Sequence, residues 1–309
     1  MSLLEPSFST PRLLVVGDAM LDCYWDGSVE RISPEAPVPV LHVRHRYERA
    51  GGAANVAVNL RGLGCDTILL SLIGADKAGA RLIELLNEAD VAVAAPDSAG
   101  FRTLQKIRCV SQHHQLMRLD HEDEPPQAAV ESIGEQFQTH ILQTDAVLLS
   151  DYGKGTLGNC AQLIEIAKSA GKPVLVDPKG QDYGRYCGAT LVKPNWKEFV
   201  AVAGQPVDDA DFHRRGQLLR ESLKLRYLLV TQGEKGMTLF DDDGIHYEQA
   251  TAREVFDVSG AGDTVAAVLG WQIAIGNTLK STLTLANKAA GIAVSKFGTS
   301  TVSLTELLA

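Results

Sequence analysis

Short, wholly apolar runs alternate along this chain with longer segments in which apolar residues recur every third or fourth position. Leu13 to Gly17, Ile68 to Gly74, Ala146 to Ser150, Pro173 to Asp177, Thr190 to Lys193 and Tyr227 to Thr231 predict strands. Several are apolar throughout, as strands covered on both faces should be. Between them Ala53 to Leu63, Arg81 to Ala89, Ala128 to Gln143, Ala161 to Ser169 and Phe212 to Leu223 carry helical spacing. Such alternation predicts an α/β fold, a parallel sheet between helical layers joined by right-handed crossovers. Ligands then belong beyond the carboxyl ends of the strands, where Asp18, Asp151, Asp177, Asn195 and Gln232 fall.

Two segments break the rhythm. Tyr24 to Arg46 is extended and holds Pro34, Pro37 and Pro39, which suits an edge strand or an excursion from the sheet. Phe101 to Asp120 predicts a hairpin; on its first arm Arg102, Leu104, Lys106 and Arg108 share a parity and hence one face. A solvated surface hairpin with ordinary charges accounts for the same residues. No internal repeat, low-complexity run or long linker divides the chain, so residues 1–309 are expected to form a single domain.

Asp257-Val258-Ser259-Gly260-Ala261-Gly262-Asp263 places small residues and then a carboxylate where a loop enters the apolar helix Thr264 to Ile275. The unpaired N–H groups and positive dipole end of a helix's first turn cradle an anion. A carboxylate beside an anion is repelled unless a cation or a proton transfer reconciles the two. Phosphoryl transfer does so if Asp263 accepts the proton of an attacking hydroxyl while Gly260, Ala261 and Gly262 offer N–H groups to the phosphoryl. A plain glycine turn with Asp263 placed for capping is the simpler alternative. The dinucleotide fingerprint fits poorly, because position 265 is Val and no strand with an acidic end follows. There is no Gly-x-x-x-x-Gly-Lys-Ser/Thr loop, so ATP chemistry would need another cradle. A second small-residue run, Gly51-Gly52-Ala53-Ala54-Asn55, opens another helix; it serves either a ligand or close helix packing.

Composition narrows the classes. With 45% hydrophobic and 22% charged residues a large core is available. A net charge of −9 disfavours nucleic acid as the main partner. Cys23, Cys65, Cys109, Cys160 and Cys187 are scattered and odd in number, as expected of free thiols in a reducing compartment. Met1 to Pro11 has neither the basic start nor the apolar core of a secretory signal, and residues 264 to 279 are too short and too polar to span a bilayer. A cytoplasmic protein is expected. The eight histidines, including His113 and His114, follow no metal-binding spacing.

Taken together, Gly51 to Asn55, Asp257 to Asp263, Gly17-Asp18, Asn195-Trp196-Lys197-Glu198 and Thr231-Gln232-Gly233-Glu234-Lys235-Gly236 resemble, in order, the signatures of the ribokinase-like (PfkB-type) carbohydrate kinases. Within that family, Arg31-Ile32-Ser33-Pro34-Glu35-Ala36-Pro37-Val38-Pro39-Val40, Gln115 to Asp120 and Ser150 to Gly155 look like the heptose-7-phosphate kinases of the ADP-heptose pathway. The resemblance implies a three-layer α/β/α sandwich with a small lid sheet, built from about 24–46 and 101–120 and often shared in a homodimer. It implies Asp263 as general base and a sugar site of Asp18, Gly52 and Asn55. Mg²⁺ would be held through water by Asn195 and Glu198, although Asn-x-x-Glu is also close to a helix capping box. Thr231, Gly233, Gly236 and Asn287 would line ATP, and a monovalent cation near Asp257 and Gly298 is allowed. A substrate phosphate would draw on Arg102, Lys106, Arg108, Arg118 and Lys154. The implied reaction is phosphorylation of D-glycero-D-manno-heptose 7-phosphate at its anomeric hydroxyl; no nucleotidyltransferase-like segment follows Ala309, so a single-function enzyme or a fragment is expected. The rivals are another kinase of the same fold, which should lack the basic lid face, a non-catalytic sugar or nucleotide sensor, and an NAD-dependent oxidoreductase.

Overall fold

The computed structural model describes residues 10–309 except 97, 113 and 252–254; the secretory-signal reading of Met1 to Pro11 and that of His113 fall largely or wholly outside the described residues. Among the described residues nine strands form one sheet in the order β13-β12-β11-β10-β9-β8-β1-β4-β5. The parallel part runs through β11 (Tyr227–Thr231), β10 (Leu191–Val192), β9 (Val174–Asp177), β8 (Ala146–Ser150), β1 (Arg12–Gly17), β4 (Asp66–Leu70) and β5 (Ala92–Ala94). β12 (Met237–Phe240) and β13 (Ile245–Glu248) add an antiparallel edge.

Alternate side chains of these strands enter two separate cores. Leu13, Val15, Leu148, Leu175 and Leu229 pack with α1 (Ala53–Gly62), α2 (Lys77–Glu88), α7 (Ala261–Ala274) and α8 (Leu283–Val294). Leu14, Val16, Val147, Leu149 and Val230 face α3 (Gln127–Ile141), α4 (Cys160–Ser169), α5 (Trp196–Ala203) and α6 (Asp209–Ser222). The fold is therefore a three-layer α/β/α sandwich, and a short α9 (Leu304–Leu308) is its last element. The apolar segment after Asp263 is the buried helix α7, and no helix among the described residues is long and apolar enough to cross a membrane. The five cysteines are free thiols, four of them buried.

A second sheet, β3-β2-β6-β7, stands over the carboxyl edge of the first. Its central hairpin is larger than the sequence suggested. β2 (Ala19–Ile32) starts one residue after β1, and β3 (Pro39–Gly52) runs directly into α1, so Tyr24 to Arg46 is the middle of a long antiparallel pair. Pro34 and Pro37 sit in its turn, where no ladder hydrogen bond is required. β6 (Leu104–Ser111) pairs parallel to β2, and β7 (His114–His121) completes the lid as an exposed edge.

Candidate active site

Four strand ends, from β8 to β11, and the start of α7 converge around a cleft of about 640 Å³. α7 starts abruptly: Gly260 takes a left-handed φ of 78°, and Thr264 already donates its N–H to the Gly260 carbonyl. A Cβ at Gly260 would stand 2.9 Å from Asn55 Nδ2, so both conformation and space demand glycine. The N–H groups of Gly260, Gly262 and Asp263 have no backbone acceptor among the described residues, whereas that of Ala261 turns to the Val258 carbonyl at 3.3 Å. Of the three residues expected to offer amides, Ala261 thus has its donor engaged within the turn.

Asp263, in the first turn of α7, is buried. Its Oδ2 accepts from Asn55 Nδ2 at 2.7 Å and its Oδ1 from the Tyr152 hydroxyl at 2.6 Å. Burial raises its pKa above the usual carboxylate value; the two donors and the Lys193 ammonium oppose that rise. Lys193 follows β10 with only 2% exposure, and its Nζ lies 2.9 Å from Asp177 Oδ1. Burial pushes the Asp177 carboxyl up to about 6 despite that partner, and the Asp263 and Glu198 charges add to the shift. Lys193 Nζ is also 3.7 Å from where a Gly262 Cβ would stand, which puts a fixed cation beside the unpaired amides. A base, free N–H groups and an ammonium thus meet at one point, which is what a hydroxyl attacking a phosphoryl group needs.

Residues 10–306 match the signature of the pfkB family carbohydrate kinases. The chain belongs to that family. It is a phosphotransferase acting on a sugar hydroxyl. Among its curated relatives, the bifunctional protein HldE of Nitrosococcus oceani is 48% identical over 98% of this chain, and that of Alkalilimnicola ehrlichii is 48% identical over 99%. The chain spans 64% and 65% of their respective lengths. Two solved structures share the fold: phosphofructokinase-2 of Escherichia coli in complex with potassium (TM-score 0.80, 20% identity, 97% of each chain) and ribokinase of Arabidopsis thaliana complexed with ribose and ATP (TM-score 0.75, 21% identity, 97% of this chain and 98% of that one).

In this kinase the cleft is also lined by Asn195, Glu198, Thr231 and Gly233. Asn195 and Glu198 form a complete capping box for α5, each side chain bonded to the other's backbone N–H at 3.0 Å, and Glu198 Oε1 meets Lys179 Nζ at 3.1 Å. The capping box is thus present, and it holds these side-chain oxygens at the cleft wall. Gly236 and Asn287 are not among the lining residues. A Cβ on Gly236 would collide with the Glu248 carbonyl at 2.0 Å, and Asn287 Nδ2 donates to the Gln249 carbonyl at 2.5 Å. These two secure the β11–β13 edge against α8.

The sugar-site expectations shift most. Asp18 has no exposed surface, and its carboxylate accepts the N–H groups of Tyr152, Lys154 and Thr156 at 3.0, 2.9 and 3.0 Å. It anchors the loop after β8 rather than presenting oxygens to the cleft; a strand-end position favours both uses equally. Asn55 directs its amide donor to Asp263, and Asn59 Nδ2 in turn holds Asn55 Oδ1 at 3.2 Å. Gly52 lies against Asp18, where a Cβ would stand 2.4 Å from the Asp18 carbonyl. The basic lid face is largely neutralised: Arg102 pairs with Asp123, Arg108 with Asp22, Arg118 with Asp120 and Lys154 with Glu122. Lys106 differs. It has no carboxylate partner within salt-bridge distance among the described residues, its Nζ stands 5.3 Å from the Tyr152 ring centre, and desolvation lowers its pKa. Asp177 falls at a strand end where ligands are expected, and Tyr152 within the Ser150 to Gly155 run, but neither carries an expected role, and Lys193 and Asp22 are not expected at the site at all. Each is a single polar residue at or just past a strand end or in a lid strand, and three-dimensional convergence gives it its partners.

Proposed function

We propose that this chain catalyses ATP-dependent phosphorylation of D-glycero-D-manno-heptose 7-phosphate at its anomeric hydroxyl, giving the 1,7-bisphosphate for ADP-heptose and lipopolysaccharide inner-core synthesis. One observation carries the chemistry: the buried Asp263 carboxylate sits in the same helix turn as two unpaired glycine amides, beside Lys193. The heptose assignment draws support from the HldE relatives and from Lys106, the half-buried lid cation without a carboxylate partner within salt-bridge distance among the described residues.

In this mechanism Asp263 takes the proton of the sugar hydroxyl as its oxygen attacks phosphorus. The bond from the terminal phosphorus to its bridging oxygen breaks and ADP departs. Amides of Gly260 and Gly262 and the Lys193 ammonium face the charge on the migrating group. The oxygens of Asp177, Glu198 and Asn195 are partly engaged by Lys193, Lys179 and the capping-box N–H groups, so they would hold Mg²⁺, a hard cation that keeps much of its water and needs few protein carboxylates, through its water shell. Mg²⁺, when bound, would neutralise phosphate charge. Thr231 and Gly233, at the far side of the cleft, would border the nucleotide, with Gly236 and Asn287 shaping that wall from behind.

We further propose that two copies pair through the lid. β7 is exposed along its whole length at a sheet edge, and Leu116, Met117 and Leu119 are open to solvent, a combination that invites strand or face pairing. A coupled ADP-release assay across heptose 7-phosphate, fructose 6-phosphate, ribose and unphosphorylated heptose tests the main reading. Turnover confined to the heptose phosphate supports it; preference for an unphosphorylated sugar overturns it.

A further inference from the structure

The family resemblance allows a monovalent cation near Asp257 and Gly298, and the donors that would hold it are already engaged. Asp257 Oδ1 accepts the Ser259 N–H and Oδ2 the Gly298 N–H, both at 2.9 Å. The carbonyls on either side of Gly298, those of Phe297 and Thr299, converge on one nitrogen, Arg49 Nη1, at 2.8 and 2.6 Å. Arg49 forms no salt bridge among the described residues, and a Cβ at Gly298 would stand 3.3 Å from that same nitrogen. Two carbonyl dipoles aimed at a single positive group is the environment a bound alkali cation would have, but here the group is a guanidinium. A second cation placed there would face like charge and oxygens with their lone pairs partly taken.

We propose that Arg49 is the built-in cation of this loop pair, a positioning residue that makes an exchangeable monovalent ion unnecessary; the proposal rests on the kinase reading above. The mechanical path is short. Arg49 lies in lid strand β3, opposite Asp22. Its carbonyl partner Thr299 packs directly on the start of α7, with Thr299 Cα 3.4 Å from where a Gly260 Cβ would be. Asp257, tied to Gly298, begins the segment that carries Gly260 and Gly262. Arg49 therefore fixes, from the lid, the turn that offers amides to the phosphoryl group.

The test compares wild type, Arg49→Met and Arg49→Lys in potassium and in N-methylglucamine buffers of equal ionic strength. Wild type should show ADP affinity, melting temperature and turnover that agree within about twofold, or about 1 °C, between the two buffers. Arg49→Met should lose about tenfold or more in kcat with little change in sugar KM. It should regain several-fold with millimolar potassium or guanidinium, and Arg49→Lys should retain a large part of the activity. The proposal is overturned by a wild type whose ADP affinity or turnover rises more than about fivefold with potassium. It is equally overturned by an Arg49→Met protein that turns over like wild type, or that responds neither to added cation nor to the lysine replacement. If Arg49→Met fails to fold by circular dichroism, the wild-type and lysine arms decide. If no sugar is turned over, ADP affinity and melting still report the cation response, so the loss of the kinase reading would be seen separately.

Discussion

The Tyr152 hydroxyl donates to Asp263 Oδ1 at 2.6 Å, and its ring lies beneath Lys106 of the lid. Tyr152 thus links the Asp263 carboxylate on one side to the Lys106 cation of the lid on the other. The hydroxyl stabilises the ionised carboxylate, so its removal leaves burial less opposed and moves the Asp263 pKa further upward. Tyr152→Phe should shift the acid limb of the pH–kcat profile to higher pH, with a smaller activity loss at pH 9 than at pH 6.5. A charge-assisted bond of this kind contributes about 1.5–3 kcal/mol, which a urea melt above that pKa would register. An unmoved acid limb would remove Tyr152 from the machinery.

Asp263→Asn should lower kcat by about 10²–10⁴, the usual weight of general-base assistance, while ADP binding and the circular dichroism spectrum stay near wild type. Turnover comparable to wild type would refute Asp263 as the base.

Lys193 and Asp177 govern pH dependence. Asp177 has a folded pKa of about 6 against an ordinary 3.8, so its contribution to stability is complete below about 3.8 and is lost as pH rises through about 6. Carbon NMR of the Asp177 carboxyl should show a midpoint near that value. Lys193→Met would leave Asp177 and Asp263 without their cation, raising both pKa values and displacing the activity profile to higher pH. Breaking such a buried pair costs about 3–5 kcal/mol, measurable by denaturant titration. A Lys193→Met protein as stable as wild type with an unaltered profile would contradict this coupling.

Gly260 and Gly64 separate backbone strain from contact. Both have positive φ, 78° and 84°, but a Cβ on Gly64 would meet nothing within 4 Å, whereas one on Gly260 would press on Asn55. Each alanine replacement should cost about 1–2 kcal/mol for the left-handed backbone. Only Gly260→Ala should also depress kcat, because Asn55 holds the base.

Lys106→Met should raise KM for the phosphorylated sugar by about 10–100-fold, as loss of a charge-assisted contact predicts. Arg102→Ala and Arg118→Ala, whose side chains are exposed and already paired, should stay within about threefold. A substrate panel with each variant reads the difference, and equal effects at the three positions would leave the phosphate without a designated partner.

Much of the fold was legible because buried parallel strands are apolar from end to end: Ala146 to Ser150 and Tyr227 to Thr231 match β8 and β11 residue for residue. The start of β2 was hidden, since Ala19 to Leu21 follow β1 after the single residue Asp18. β12 and β13 escaped because Met237 follows Gly236 so closely that it reads as part of the preceding loop. In the site, the Asp257 to Asp263 turn announced itself through small residues at fixed spacing. The pairing of Arg102, Arg118 and Lys154 could not be foreseen, because charges read one by one do not disclose which carboxylates of the Asp120 to Asp123 stretch fold back onto them.

The lid hairpin leaves the large sheet through Asp18 alone and returns to it at Gly52, immediately ahead of α1. Such a short pair of attachments gives no slack for a freely swinging flap. Any closing stroke must flex the roots of the hairpin, and those roots adjoin Asp18, clamped to the Tyr152 loop, and Asn55, clamped to Asp263. A force on the lid strands would therefore be transmitted as torque to the Tyr152 loop and to the Asn55–Asp263 pair.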